Sequence, residues 1–134
     1  MKVFVDTNVV LDCLYNRKPF VDASKRVWDI CEAGYAEGYI SALSIANILY
    51  VLRKELDDEK SHQVIMALSK VFRIESLYGN DFIPALDLKF PDNEDALQCV
   101  AASRIHAEYI ITRNEKDFCN SPIPVINPNE FYMN

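Results

Sequence analysis

The chain has 134 residues, half of them apolar and a quarter charged, which is the composition of a globular protein and predicts one domain, residues 1–134, with a real hydrophobic core. Its 14 basic and 20 acidic residues give a net charge of −6, which argues against binding of nucleic acid through overall positive potential. No apolar run is long enough to span a bilayer and no signal-peptide pattern opens the sequence, so we expect a cytoplasmic protein without a membrane partner.

Short β-branched or aromatic runs alternate along the chain with longer stretches of helical periodicity. The predicted strands are 3–5, 39–41, 71–74, 109–112 and 124–126. The predicted helices are 9–15, 21–36, 43–56, 59–70, 81–87 and 94–107. Strands that alternate with helices are joined by right-handed crossovers, so this order predicts an α/β fold: a three-layer sandwich around a central, mainly parallel sheet of about five strands.

The first predicted strand ends at a polar trio, Asp6, Thr7 and Asn8, at the turn into the first helix. Asp or Thr at such a turn accepts hydrogen bonds from the first free N–H groups of the helix, so capping is one interpretation of Asp6. The other interpretation is that Asp6 is one of several carboxylates gathered around a metal ion. The trio alone does not decide between them.

The third predicted helix, 43–56, is apolar almost all round, which indicates a buried helix or one half of a subunit contact. Asn47 lies within it. An unpaired buried amide is costly, so Asn47 must either bond to neighbouring backbone or line a polar cleft. The sequence leaves both alternatives open.

Two further polar groups come later in the chain. They are the acids that open the helix 94–107, Asp92, Glu94 and Asp95, and the residues that follow the fourth strand, Thr112, Asn114 and Asp117. A helix that precedes a parallel strand begins at the carboxyl edge of the sheet, so both groups are expected to share one edge with Asp6. Taken singly, Asp92 is explained as a helix cap and Asp117 as a turn residue. Taken together, converging carboxylates repel one another unless a cation lies between them, and such hard oxygen ligands favour Mg²⁺ or Mn²⁺.

Four segments of the chain resemble, in their order and separations, the motifs of PIN domains. The segments are VFVDTNVVLD, ISALSIANILYVL, DNEDALQCVAA and IITRNEKDF, and the resemblance extends from Lys2 to about Pro128. PIN domains are small α/β metal-dependent ribonucleases that include the toxins of many bacterial toxin-antitoxin pairs. The resemblance therefore implies a PIN-like fold and a Mg²⁺- or Mn²⁺-dependent endoribonuclease that hydrolyses RNA phosphodiester bonds as such a toxin.

The resemblance also implies an active site of three or four acids. Asp6 and Asp95 match the main acids of the family, and Asp92 and Asp117 match accessory acids. The implied catalytic residues are Asp6, Asp95 and Asp117, and the implied metal ligands are these three and Asp92.

Two positions depart from the family pattern. Asn47 stands where the family usually has glutamate, and Asn114 stands where it often has aspartate. An amide oxygen can coordinate a cation but contributes no charge, so both departures predict weaker metal binding.

The mechanism implied by the resemblance assigns supporting roles to further residues. Those expected to orient the carboxylates or to bind water or substrate are Thr7, Asn8, Asn47, Glu94, Thr112 and Asn114. The basic residues expected to contact RNA phosphates are Arg17, Lys18 and Arg113. By the same analogy we expect a small antitoxin in the groove beside helix 43–56, and a homodimer through that region.

The alternative from another functional class is a PIN-like module that has lost turnover and retains binding of RNA or of a partner, with Asn47 and Asn114 as the marks of decay. Other phosphoryl-transfer folds fit less well. Phosphatases of the haloacid dehalogenase type need a second aspartate at the position of Asn8, and receiver domains need an acid pair at the first strand and a lysine after the last. With three glycines, the chain has no glycine-rich phosphate loop.

Overall fold

The computed structural model describes residues 1–132. Within them, five strands form one sheet: β1 (Lys2–Val5), β2 (Glu37–Ser41), β3 (Phe72–Glu75), β4 (Tyr109–Ile111) and β5 (Val125–Ile126). Their order across the sheet is β3-β2-β1-β4-β5, and every neighbouring pair is parallel. This confirms the predicted parallel sheet, with strand ends that differ from the predicted ones by at most two residues.

Six α-helices connect the strands in the described part of the chain. They are α1 (Thr7–Leu14), α2 (Val21–Glu32), α3 (Ala42–Leu52), α4 (Asp58–Val71), α5 (Phe82–Asp87) and α6 (Asn93–Arg104). Helices α2, α3 and α6 end three or four residues before their predicted ends. The chain leaves the helical conformation after α2 at Gly34 and after α6 at His106, both with positive φ, and Asp57 already caps α4 shortly after α3.

Apolar side chains cover the sheet on both faces. Val3 and Val5 pack into a core formed with α1 to α4, whereas Phe4 packs into a second core formed with α5 and α6. Successive side chains of a strand point to opposite faces, so this alternation divides β1 between the two cores. The predicted three-layer sandwich is confirmed.

The pairing of β1 with β4 sets the geometry of the carboxyl edge. Val5 is in register with Ile111, and the backbone N–H of Asp6 donates to the carbonyl of Ile111 at 2.9 Å. The residues that follow these two strands, Asp6 and Thr112, therefore lie side by side. Helices α1 and α3 begin at this edge after β1 and β2, and α6, which leads into β4, begins there too.

Helix α3 is buried on one side only. Ser44, Ile48 and Leu52 are buried, whereas Ala46 and Tyr50 are exposed. Of the two alternatives for this helix, complete burial is wrong, because its apolar character continues onto a side that no other element covers among residues 1–132, and the subunit contact stays a prediction. Measured over the same residues, every helix falls short of the length and apolarity needed to cross a membrane.

Candidate active site

Asp6 is held in place by four hydrogen-bond donors. Its side chain is buried, and Oδ1 accepts from the backbone N–H of Thr7 at 2.7 Å and from Nε2 of Gln98 at 2.9 Å. Oδ2 accepts from Oγ1 of Thr112 at 2.7 Å and from Nδ2 of Asn8 at 3.3 Å. Asp6 does cap α1, as one interpretation held, but all four donors are neutral. The carboxylate is thus fixed in orientation while its negative charge is not cancelled.

The start of α6 brings three more acids to this edge. Asp92 caps the helix, because its Oδ1 accepts from the backbone N–H groups of Glu94 at 2.7 Å and Asp95 at 3.1 Å. Burial raises the pKa of Asp95 to about 7, and the negative charges of Asp6, Asp92, Asp117 and Glu94 add to the rise. All three polar groups singled out in the sequence therefore face one another at one edge of the sheet.

These carboxylates lack a positive partner within the described chain. None of the ion pairs among residues 1–132 includes Asp6, Asp92, Asp95 or Asp117. No three Asp, Glu, His or Cys side chains in that range are already close enough together to hold a metal ion. The donor set is anionic and made of hard oxygens, which fits Mg²⁺ or Mn²⁺, but the side chains must rotate towards a common point to bind one.

Helix α3 supplies polar side chains to the same edge of the sheet. Thr7 Oγ1 donates to Ser44 Oγ at 2.7 Å, which joins the start of α1 to α3. Asn47 is half-buried, and its Nδ2 donates to Oε2 of Glu94 at 3.4 Å. Asn47 therefore contacts the side chain of Glu94 at this edge, and its place in a polar cleft stays a prediction.

The loop after β4 completes the edge. Thr112 is fully buried, and its Oγ1 accepts from the backbone N–H of Asn114 at 3.0 Å while it donates to Asp6. Asn114 is exposed, and Asp117 is half-buried in the short 3₁₀ turn Glu115–Phe118. Thr112 thus links the loop that carries Asp117 to the carboxylate of Asp6.

Two of the three basic residues expected to contact RNA, Arg17 and Arg113, instead lie against the side chain of Asp12. Arg113 donates to both oxygens of the fully buried Asp12, from Nε at 2.7 Å and Nη2 at 3.1 Å, and its guanidinium lies 3.9 Å from the centre of the Phe20 ring. Arg17 Nη1 is 3.9 Å from Oδ1 of the same aspartate. Lys18 is exposed. The contact of these residues with RNA stays a prediction, and for Arg113 it competes with Asp12.

Three residues that contribute to this region lie outside the predicted set: Gln98, Asp12 and Ser44. Gln98 follows Asp95 by three positions on one helix, so the spacing i, i+3 was an available signal that both face the site. Asp12 sits among apolar neighbours in α1, and an acid in a buried stripe signals a paired charge. Nothing in the sequence distinguishes Ser44 from the other serines.

Comparison with known proteins places the chain among others of the same architecture. Residues 2–116 match the PIN domain family. The chain is 30% identical over 135 residues to ribonuclease VapC1 of Aquifex aeolicus (strain VF5), and the alignment covers 97% of this chain and 92% of that protein.

Two solved structures show the same fold. A chain of a toxin-antitoxin complex from Klebsiella pneumoniae superposes with a TM-score of 0.75 at 24% identity, covering 96% of this chain and 99% of that one. A chain of VapBC2 from Rickettsia felis bound to a promoter DNA fragment superposes with a TM-score of 0.73 at 17% identity, covering 95% and 98%. At such identities the likeness establishes the fold alone.

Proposed function

Because the chain belongs to the PIN domain family, we propose that it is a Mg²⁺- or Mn²⁺-dependent endoribonuclease and the toxin component of a toxin-antitoxin pair. The observation that carries the proposal is the group of carboxylates near Asp95, including Asp6, which no Lys or Arg of residues 1–132 neutralises. Similarity to ribonuclease VapC1 supports the reaction. Similarity to toxin-antitoxin complexes supports the partner.

The site contains two kinds of residue, acids that would bind a cation and neutral donors that orient those acids. Asp6, Asp95 and Asp117 would hold the cation, with Asp92 beside them. When bound, the cation would supply Lewis acidity and would favour attack of water on a phosphodiester. No nucleophilic side chain is required of the protein in this scheme.

The neutral donors around Asp6 have a positioning role. Thr112 and Asn8 fix the orientation of Oδ2, and the backbone N–H of Thr7 fixes Oδ1. A carboxylate that is already oriented loses less conformational freedom on binding a cation. Asn114 is exposed at the rim, where its amide is available to water or to a phosphate oxygen.

A second candidate is a PIN-like module that binds RNA or a partner without turnover. It is favoured by the amides Asn47 and Asn114 at the cleft and by the absence, within residues 1–132, of three metal-binding side chains already close together. Saturable calorimetric binding of Mn²⁺ supports the nuclease, and no binding supports the module.

The partner of the proposed toxin has a candidate surface between α3 and α4. Leu49 and Tyr50 on α3 and Ile65 on α4 line a groove of ≈ 600 Å³. By analogy with toxin-antitoxin complexes, we assign this groove to a small antitoxin, and the adjoining exposed side of α3 to a homodimer. Light scattering of the purified protein tests the dimer directly, because a monomeric mass at micromolar concentration contradicts it.

The proposed activity is tested by RNA cleavage with Mg²⁺ or Mn²⁺ and with EDTA. We expect cleavage of single-stranded or structured RNA that stops in EDTA. Asp6→Asn should lower the rate by at least about 100-fold, because it weakens the hold on the cation. Asp22→Asn, an exposed acid in the first turn of α2, is the matched control and should cleave like the parent. Cleavage by Asp6→Asn at the parent rate contradicts the proposed site.

A further inference from the structure

We propose that Gln98 is an oxygen ligand of the divalent cation at the Asp6 site, and that its side-chain amide turns over when the cation binds. The inference rests on the proposed function, since it concerns the same cation. It adds a neutral ligand to the four aspartates that the sequence indicates.

The first observation is the contact between Gln98 and Asp6. Gln98 is 5% exposed, and its Nε2 donates to Oδ1 of Asp6 at 2.9 Å. An ionised carboxylate only accepts hydrogen bonds, so the nitrogen end of the amide must face Asp6 while no cation is present. That N–H occupies a lone pair of Asp6 that a cation would need.

The second observation concerns the other end of the same amide. Oε1 of Gln98 is buried and has no hydrogen-bond partner among residues 1–132, where only three side-chain atoms share this condition. Buried acceptors are almost always paired, because an unmade hydrogen bond to a desolvated oxygen costs free energy. Oε1 is therefore an acceptor without a partner inside the described chain, and a ligand for Oε1 would supply one.

A half-turn about the Cγ–Cδ bond of Gln98 would give Oε1 the cation as its partner and would free the lone pair of Asp6 that Nε2 occupies, while it carries Nε2 to the place that Oε1 leaves. The turn exchanges Nε2 and Oε1 and brings the carbonyl oxygen beside Oδ1 of Asp6. Two oxygens in that arrangement repel each other in the absence of a cation and converge on one when it is present. Amide oxygens are ordinary ligands of hard divalent cations. The charge of the occupant thus decides which end of the amide faces Asp6.

The electrostatics of the cleft favour a neutral ligand at this position. Four carboxylates, those of Asp6, Asp92, Glu94 and Asp117, already lie around Asp95. A further acid would add repulsion in the cation-free protein, whereas an amide adds an oxygen without adding charge. Asn47 and Asn114 also place side-chain amides at this edge, so Gln98 is the third amide there.

The wild-type protein offers a direct test by NMR. Gln63 is the only other glutamine of the chain and is exposed on α4, so the two side-chain NH₂ signals form an internal comparison. We expect the Gln98 signal to shift with Mg²⁺ along a saturating curve that matches the backbone signals of Asp6 and Asp95, and the Gln63 signal to stay fixed. Shifts at Asp6 and Asp95 without a shift at Gln98 overturn the inference.

Two variants test the oxygen itself by calorimetric titration with Mn²⁺. Gln98→Leu removes the oxygen and should weaken Mn²⁺ binding about tenfold. Gln98→Glu keeps an oxygen at the same reach and should bind Mn²⁺ at least as tightly as the parent. A purely structural Gln98 predicts the opposite for glutamate, because a second carboxylate against Asp6 disturbs the site. Gln63→Leu and Gln63→Glu are the matched controls.

The outcomes separate this inference from the proposed function. If the parent protein does not bind Mn²⁺, both fall together. If the parent binds Mn²⁺ and Asp6→Asn weakens it, but Gln98→Leu binds within twofold of the parent, the metal site stands and the role of Gln98 is refuted. The role of Gln98 is also refuted if Gln98→Glu binds Mn²⁺ as weakly as Gln98→Leu does.

Discussion

Two buried aspartates, Asp6 and Asp12, lie close together in the chain but differ in the charge of their hydrogen-bond donors. Asp12, in α1, is fully buried and receives both a bidentate Arg113 and Oγ of Ser24 at 3.1 Å. Asp6, the cap of the same helix, receives four donors that carry no charge. One carboxylate has an internal cation and the other has none.

The difference separates a structural acid from a functional one. A buried ion pair with good geometry satisfies itself and leaves nothing for a ligand. The Arg113 and Asp12 pair also joins the loop after β4 to α1, where the backbone N–H of Arg113 donates to Oδ1 of Asn8 at 3.4 Å. At Asp6 the hydrogen bonds orient the carboxylate but do not neutralise its negative charge. This arrangement is expected where a bound cation supplies the positive charge.

The largest expected effect is a loss of folding stability when the ion pair between Arg113 and Asp12 is broken. Arg113→Met leaves Asp12 buried without its main partner and should lower the free energy of unfolding by about 3 kcal/mol, at the low end for a broken buried pair because Arg17 remains nearby. Urea unfolding measures the change. Arg53→Met, at an exposed position after α3, is the control and should lose less than about 0.5 kcal/mol. Equal losses contradict the account of Asp12.

The pH dependence of cation binding comes next in size. A cation must displace the proton from Asp95, so Mn²⁺ affinity should rise about tenfold per pH unit below about 7 and level off above it. Because the pKa of Asp95 is raised on folding, its protonation stabilises the cation-free fold below about pH 4, and that stability is lost as the pH rises through 7.

Calorimetric titration with Mn²⁺ at several pH values tests the predicted pH dependence of Mn²⁺ affinity. A flat profile between about pH 5 and 8 contradicts it.

Neutralising Asp95 should stabilise the cation-free protein. Asp95→Asn removes a charge that four carboxylates repel, and we expect a gain of about 1 kcal/mol in EDTA at pH 8. The matched change Asp12→Asn should instead destabilise, because it breaks the contact with Arg113. Thermal unfolding in EDTA compares the two. Destabilisation by both changes would mean that the Asp95 cleft is not under electrostatic strain.

The smallest expected effect is at Asn47. Asn47→Glu adds a carboxylate next to Glu94 and should raise Mn²⁺ affinity about threefold while it lowers stability in EDTA slightly. Asn80→Glu adds the same charge at an exposed position near the other end of α6 and should leave Mn²⁺ affinity unchanged. Equal responses of the two variants would indicate a general charge effect.

The sequence was sufficient for the parallel sheet and for the expectation that Asp6 and Thr112 share one edge of it. Both residues follow strands of one parallel sheet, so a shared edge could be inferred without coordinates, whereas the pairing of β1 with β4 could not. The ends of α2 and α6 were less predictable, since apolar residues continue past the point where the backbone turns.

The details of charge pairing could not be read from the sequence. Whether Arg113 faces RNA or Asp12 depends on how α1 packs beside β4, which no local pattern records. The spacing of Gln98 from Asp95 indicates a shared helix face, but the contact of Gln98 with Asp6 becomes visible only when α6 is placed beside β1.

The central claim is that the charge left over at Asp6 and Asp95 is neutralised by a divalent cation from solution. Calorimetric titration of the parent protein and of Asp95→Asn with Mn²⁺ at pH 8 tests it most directly. The account predicts saturable binding of Mn²⁺ to the parent and a loss of at least about tenfold in affinity for Asp95→Asn. Equal affinity of the two proteins, or no saturable binding to the parent, would contradict it.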